Sequence, residues 1–285
     1  MKIHYMDCGT MHPRGANLFI PQTGRTPSLC LLIEDKEHLI LVDSGFGTQD
    51  MQDPRRLGHT NYLLNTQCSE DKPAVRQIER LGYNPNDVRH IICTHLDRDH
   101  AGGLSDFPHA QVHVTAAECA AGLGPQNYKE RDRYRRCHFA HGPHWVTYEG
   151  YSGDPWLGLG CIRDLKGLPP EIVLVPLPGH TRGHCGVALD TGSGLLLHCG
   201  DAYYFKDEVL PNKPLPLFHK IFRRLAHVNY AGAMHQLERI RAVWTRNRET
   251  LRIMASHDQL EYMDLFGKAV DLRRLHVPKR NSDIH

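Results

Sequence analysis

The chain has 285 residues, enough for one large domain or two small ones. Hydrophobic residues make up 40% and charged residues 23%, with 25 Gly and 18 Pro, which excludes a disordered or fibrous chain. A net charge of +2 with histidine neutral is too small to mark a nucleic-acid or membrane surface, so neither partner is expected.

From the N-terminus, Met1-Lys2-Ile3-His4-Tyr5-Met6-Asp7 lacks the long apolar stretch of a signal peptide. No segment approaches the roughly 18 uninterrupted apolar residues needed to span a bilayer. Nine cysteines, scattered with no CxxC pair, suit reduced thiols in a cytoplasmic protein. Leu29 to Ile33 and His38 to Val42 read as strands joined by the polar turn Glu34-Asp35-Lys36-Glu37, and the second runs into the Gly-rich Asp43-Ser44-Gly45-Phe46-Gly47. Pro73 to Leu81 reads as an amphipathic helix with Ala74, Ile78 and Leu81 on one face and Gly82 as its stop. Val88 to Cys93 is a buried strand leading directly into Thr94-His95-Leu96-Asp97-Arg98-Asp99-His100, and Gln111 to Val114 is another strand.

Residues 120–167 differ in character, being rich in Tyr, Trp, Arg and His with poor apolar periodicity. A segment of that kind suits a lid, a substrate wall or a helical insertion. Tyr128, Tyr134, Trp145 and Tyr148 could line an apolar pocket, or equally be core or interface residues; Arg131, Arg133, Arg135 and Arg136 read as a solvated helix face. Regular strands resume at Glu171 to Val175, Cys185 to Leu189 and Leu195 to Cys199. A long helix carrying Leu237, Ile240 and Trp244 on one face precedes a last strand, Leu251 to Ala255. No internal repeat or interdomain linker is evident, so one domain over 1–285 is expected.

The residues that carry chemistry follow strands, where a rigid scaffold aims short side chains into a common cleft. His95, Asp97, Asp99 and His100 place four nitrogen or oxygen donors within six residues, a dense ligand set for Zn, Mn or Fe. Pro176-Leu177-Pro178-Gly179-His180-Thr181-Arg182-Gly183-His184 holds His180 in a tight turn after a strand. Gly200-Asp201-Ala202 delivers a carboxylate from another strand end, and Ser256-His257-Asp258 a further imidazole. Singly these last three are weak signals; their order and placement give them weight.

Thr94-His95-Leu96-Asp97-Arg98-Asp99-His100-Ala101-Gly102-Gly103 resembles the HxHxDH signature of the metallo-β-lactamase superfamily. The His180 segment, Gly200-Asp201-Ala202 and Ser256-His257-Asp258 resemble its later ligand motifs, and Val42-Asp43-Ser44-Gly45 its early VDxG loop. The similarity extends over about residues 29 to 260 and implies an α/β fold, a four-layered αββα sandwich. It implies one metal on His95, Asp97 and His180, a second on Asp99, His100 and His257, and Asp201 bridging both. Asp43 and His184 would support the ligands rather than bind metal. The layout is most similar to N-acyl homoserine lactonases, which place a Tyr three residues beyond the bridging Asp; Tyr204 stands there.

The resemblance therefore implies a hydrolase that opens a lactone or other carboxylic ester of a small molecule by water activated at two divalent cations. Asp99 and Asp201 would accept protons, Tyr204 would donate to the developing oxyanion, and a homodimer is compatible with the family. Zn is the first expectation for the metals. Asp97 departs from the signature, which has His there; a carboxylate hardens the site and admits Fe or Mn. Thioesters, phosphodiesters and β-lactams remain open on the same fold, as does iron-dependent redox chemistry of the flavodiiron kind, although the chain has no room for a flavodoxin-like domain. No G-x-S-x-G nucleophile elbow competes for the role of nucleophile. Specificity is expected from residues 120–167, the loop around Phe46 and the stretch from Phe205 to Phe218.

Overall fold

The computed structural model describes residues 1–16, 24–36, 38–210 and 213–265. Within them, β1 (Lys2–Met11), β2 (Thr26–Glu34), β3 (Leu39–Val42), β4 (Thr66–Gln67), β5 (Val88–Ile92), β6 (Gln111–Thr115) and β7 (His144–Tyr148) form a seven-stranded sheet in the order β4-β1-β2-β3-β5-β6-β7. A second sheet contains β8 (Ile172–Pro176), β9 (Cys185–Asp190), β10 (Leu195–His198) and β11 (Leu251–Met254) in the order β11-β10-β9-β8. Pairing is parallel from β3 through β7 and between β10 and β11, and antiparallel elsewhere.

The two sheets stack because their strands are apolar on both faces, as strands covered on both sides must be. In β2, Leu29, Leu31 and Ile33 point into the inter-sheet layer with Ile172, Leu174, Val187, Leu189, Leu196 and Met254. The alternate residues Cys30 and Leu32 face outward beneath Ala74 and Ile78 of the helix Ala74–Arg80. On the far side, Leu237, Ile240, Val243 and Trp244 of the helix Tyr230–Arg246 cover Val173, Val175, Leu197 and Ile253. Helix, sheet, sheet and helix make the expected αββα order. Each fully buried Leu or Ile in these layers contributes about 1.5–3 kcal/mol.

The predicted strands all form, with boundaries shifted by one to three residues. Leu81 leaves the predicted apolar face: the helix ends at Arg80 and Leu81 is 43% exposed. Residues 120–167 are built largely into the fold, through the helix Tyr128–Arg133 and through β7, which extends the large sheet in register with β6. Tyr134 is buried in the core under that sheet, Trp145 packs edge-on to Phe139, and Tyr128 is exposed, so these aromatics do not form a common pocket wall. Phe46 likewise is a core residue, packed with Met11, Met51 and Leu57. Among the described residues no helix is long and apolar enough to cross a membrane.

Candidate metal centre

The carboxyl ends of β3, β5, β8, β10 and β11 meet at one end of the sandwich, and each is followed by a motif residue. Two backbone hydrogen bonds tie the sheets together there, Leu29 N to Ser256 O and Cys185 N to Thr94 O, both 2.9 Å. His95 and Asp97 follow β5, Asp99 and His100 lie on the short helix Arg98–Ala101, and His180, Asp201 and His257 follow β8, β10 and β11. All seven predicted ligands therefore arrive in one pocket. Three overlapping groups (His95, Asp97 and His180; His95, His100 and Asp201; Asp99, His100 and His257) each hold one ligand atom per residue within 4.8 Å of the others.

Asp201 is central. Its Oδ2 lies 3.1 Å from His257 Nε2 and 3.5 Å from His180 Nε2, while Oδ1 lies 3.3 Å from His100 Nε2. Asp97 Oδ2 lies 3.1 Å from His180 Nε2 and 3.5 Å from His95 Nε2; Asp99 Oδ2 lies 3.5 Å from His257 Nε2 and 3.8 Å from His100 Nε2.

Outer partners fix the ring orientations. His100 Nδ1 is 2.8 Å from Asp43 Oδ2, His257 Nδ1 is 2.7 Å from Pro27 O, and His95 Nδ1 is 3.0 Å from Thr94 Oγ1. His180 Nδ1 lies 3.1 Å from His227 Nδ1 and 3.2 Å from the Tyr204 hydroxyl. Each imidazole thus turns its Nε2 inward, the arrangement that outer partners impose on metal-binding histidines. Asp43 is held at φ +56° to accept at once from Thr94 N, Thr94 Oγ1 and His100, a left-handed backbone that a non-glycine residue rarely adopts. His184 is not a ligand: its Nδ1 is 3.0 Å from Leu177 O and its Nε2 accepts from Asp201 N. Gly200 must be glycine, since a Cβ there would lie 2.5 Å from His184 Nε2 at a φ of +53°.

The donor set fits metal. His95 Nε2, His100 Nε2, Asp97 Oδ1 and Asp201 Oδ1 are buried with no hydrogen-bond partner, a costly arrangement of about 1–3 kcal/mol per atom unless a cation satisfies them. Burial opposes charge on Asp97, yet the Arg133 guanidinium, with His95 and His180, holds its carboxyl well below the usual range. Asp201 is kept low against burial by His257, His100 and His180. His180 is pushed down to about 4, first by burial and then by Arg133, against the pull of Asp201. Against burial, Asp201, Asp43 and Asp99 hold His100 well above its usual value and Asp201 raises His257, so a divalent cation binding the ionised carboxylates would displace protons from these two rings.

Three residues of this site were not legible as such. Arg133, read from sequence as part of a solvated face, instead enters the pocket, with Nη1 2.6 Å from Asp97 Oδ2. The helix carrying it ends at Arg133, so the following turn directs Arg133 and Arg135 inward while Arg131 and Arg136 stay exposed. Glu118 is fully buried and receives Leu96 N and Tyr134 OH on Oε1, and Thr181 Oγ1 and Gly183 N on Oε2. His227, against His180, also carried no motif signal. Tyr204 is buried beside His180 and stacked 5.9 Å from His257.

The family model described as the Metallo-beta-lactamase superfamily matches residues 23–242. A probable metallo-hydrolase of Mycobacterium tuberculosis is 41% identical over 273 residues, covering 95% of this chain and 83% of the relative. An N-acyl homoserine lactonase of Bacillus thuringiensis is 30% identical over 191 residues, covering 64% of this chain and 68% of that protein. Among solved structures, an N-acyl homoserine lactone hydrolase with the product N-hexanoyl-L-homoserine bound at its catalytic metal centre superposes with a TM-score of 0.68 at 23% identity, covering 92% of this chain and 95% of that one. Motif order, layered fold and relatives agree, and this chain belongs to the metallo-β-lactamase superfamily as a metallo-hydrolase related to the N-acyl homoserine lactonases.

Proposed function

We propose that the protein opens a lactone or another carboxylic ester of a small molecule at a two-metal centre. The observation that carries this reading is the convergence of seven ligand-type side chains on one pocket, four of their atoms buried and unpartnered. His95, Asp97 and His180 would hold one cation, Asp99, His100 and His257 the other, and Asp201 both. Cations held by these residues would supply Lewis acidity and lower the pKa of water at the site. Imidazole and carboxylate donors in this mixture suit Zn first, with Fe or Mn admitted by Asp97.

The chain's own groups have separable duties. Asp201 and Asp99 set the spacing and can accept a proton. Tyr204 is the candidate donor to the developing oxyanion; with His180 Nε2 turned inward as an acceptor, Nδ1 carries the ring proton, so the Tyr204 hydroxyl 3.2 Å away keeps its own proton for substrate. The relative named N-acyl homoserine lactonase supports a lactone as first choice, whereas the more similar mycobacterial relative bears a name without a substrate. A cytoplasmic location belongs to the same reading, supported by nine free cysteines.

The test is a panel of lactones and esters offered to protein reconstituted separately with Zn, Mn and Fe, with metal content determined on every sample. Metal-dependent lactone opening is the expected result. Two bound metals without lactone or ester turnover would overturn the substrate class and bring thioesters, phosphodiesters or iron redox chemistry forward.

A further inference from the structure

The two halves of the metal centre are unlike in one respect. Arg133 Nη1 lies 2.6 Å from Asp97 Oδ2 and 3.1 Å from His180 Nε2, so it sits on two of the three donors of one half. The guanidinium is tethered by a hydrogen bond from Nη2 to Ala226 O, while its Nε is buried without a partner. The next residue, Tyr134, is pinned in the core by its hydroxyl on Glu118 at 3.0 Å, which holds the backbone close to the pocket. In the other half, among the described residues, Asp99 forms ion pairs with His100 and His257 alone.

We infer that Arg133 is a resident cation that competes with metal for Asp97 and His180, making the His95–Asp97–His180 half the weaker of two metal sites. The single lone pair of His180 Nε2 cannot serve a guanidinium N–H and a divalent ion at once, so metal entry must move Nη1 off that nitrogen, while Asp97 still offers its unpartnered Oδ1. Electrostatics favour the same asymmetry, because the Arg133 charge beside Asp97 and His180 repels a cation entering that half more than one entering the half at Asp99. The substitution of Asp for the signature His and the presence of Arg133 are then one device: the carboxylate supplies the charge that holds the arginine, and the arginine offsets the charge that the carboxylate adds.

The inference rests on the two-metal reading above. Its test is the titration of chelator-stripped protein with Zn(II) against a chromophoric competitor, for the native chain and for Arg133→Met. The native chain should take its second equivalent about tenfold to a hundredfold more weakly than its first, the span usual for coupling between two occupants. Arg133→Met should strengthen the second step by about tenfold and leave the first unchanged. Two equal, tight equivalents in the native chain overturn the inference and leave the two-metal reading intact. A second step that weakens in Arg133→Met also overturns it, because the arginine would then support metal. Absence of tight binding in both proteins sinks the metal reading itself. Should Arg133→Met fail to fold, the native titration decides alone.

Discussion

Asp43 Oδ2 stands 2.8 Å from His100 Nδ1, and the same carboxylate takes the amide and hydroxyl of Thr94, one residue before His95. One buried side chain therefore orients both histidines of the first motif. Replacing Asp43 by Ala is expected to weaken metal binding by about tenfold to a hundredfold, the usual cost of losing an outer partner. Asn, which tolerates the positive φ, should lose less. Metal content after dialysis against a graded chelator reads the order; equal retention by all three proteins would remove Asp43 from the site.

Asp201→Ala should abolish hydrolysis and release bound metal together, since its two oxygens face His100 on one side and His180 and His257 on the other. Full activity with metal retained would refute the bridging assignment.

Tyr204→Phe tests the oxyanion role. Turnover should drop roughly ten- to a thousand-fold with metal content unchanged, on the scale of losing one such donor. If metal is lost instead, the hydroxyl serves His180, its 3.2 Å neighbour; an unchanged rate with metal retained takes Tyr204 off the catalytic list.

Glu118 joins the two ligand loops, accepting from Leu96 beside His95 and from Thr181 and Gly183 beyond His180. Glu118→Gln places an NH2 where one pair of donors must be accepted, leaving buried donors unpaired at a cost of about 1–3 kcal/mol. The expected outcome is a lower denaturation midpoint together with weaker metal binding. Unchanged stability would show that the loops hold themselves.

His113 supplies a pH dependence away from the metal. Burial, and then His90, push it from 6.5 down to about 3; its Nε2 lies 2.9 Å from His90 Nδ1 and its Nδ1 2.7 Å from the Tyr148 hydroxyl. For a base whose folded pKa is depressed, the stability contribution is full above the unfolded value and is lost as pH falls. Between pH 7 and pH 5 this amounts to about 2 kcal/mol. His113→Gln should flatten the decline in denaturant midpoint over that interval, and parallel declines in both proteins would discard the assignment.

The candidate ligands were legible in sequence because each sits in a short motif at the end of an apolar strand, where local pattern and chemistry coincide. His95, Asp97, Asp99 and His100 lie within six residues, and the layered fold was implied by the family resemblance that these motifs carry. What escaped was long-range. Asp97 meets Arg133 at a separation of 36 residues, and Leu96 meets Glu118 at 22, with no periodicity to announce either. The strand β7 hid in a polar segment because it sits at the sheet edge, where only one side is paired and burial is partial. By itself the sequence determined which atoms could bind metal and in what order they arrive. Only the tertiary structure decided which neighbours hold those atoms and that an arginine enters among them, because stacking two sheets brings distant loops to one end where charge and burial must be satisfied together.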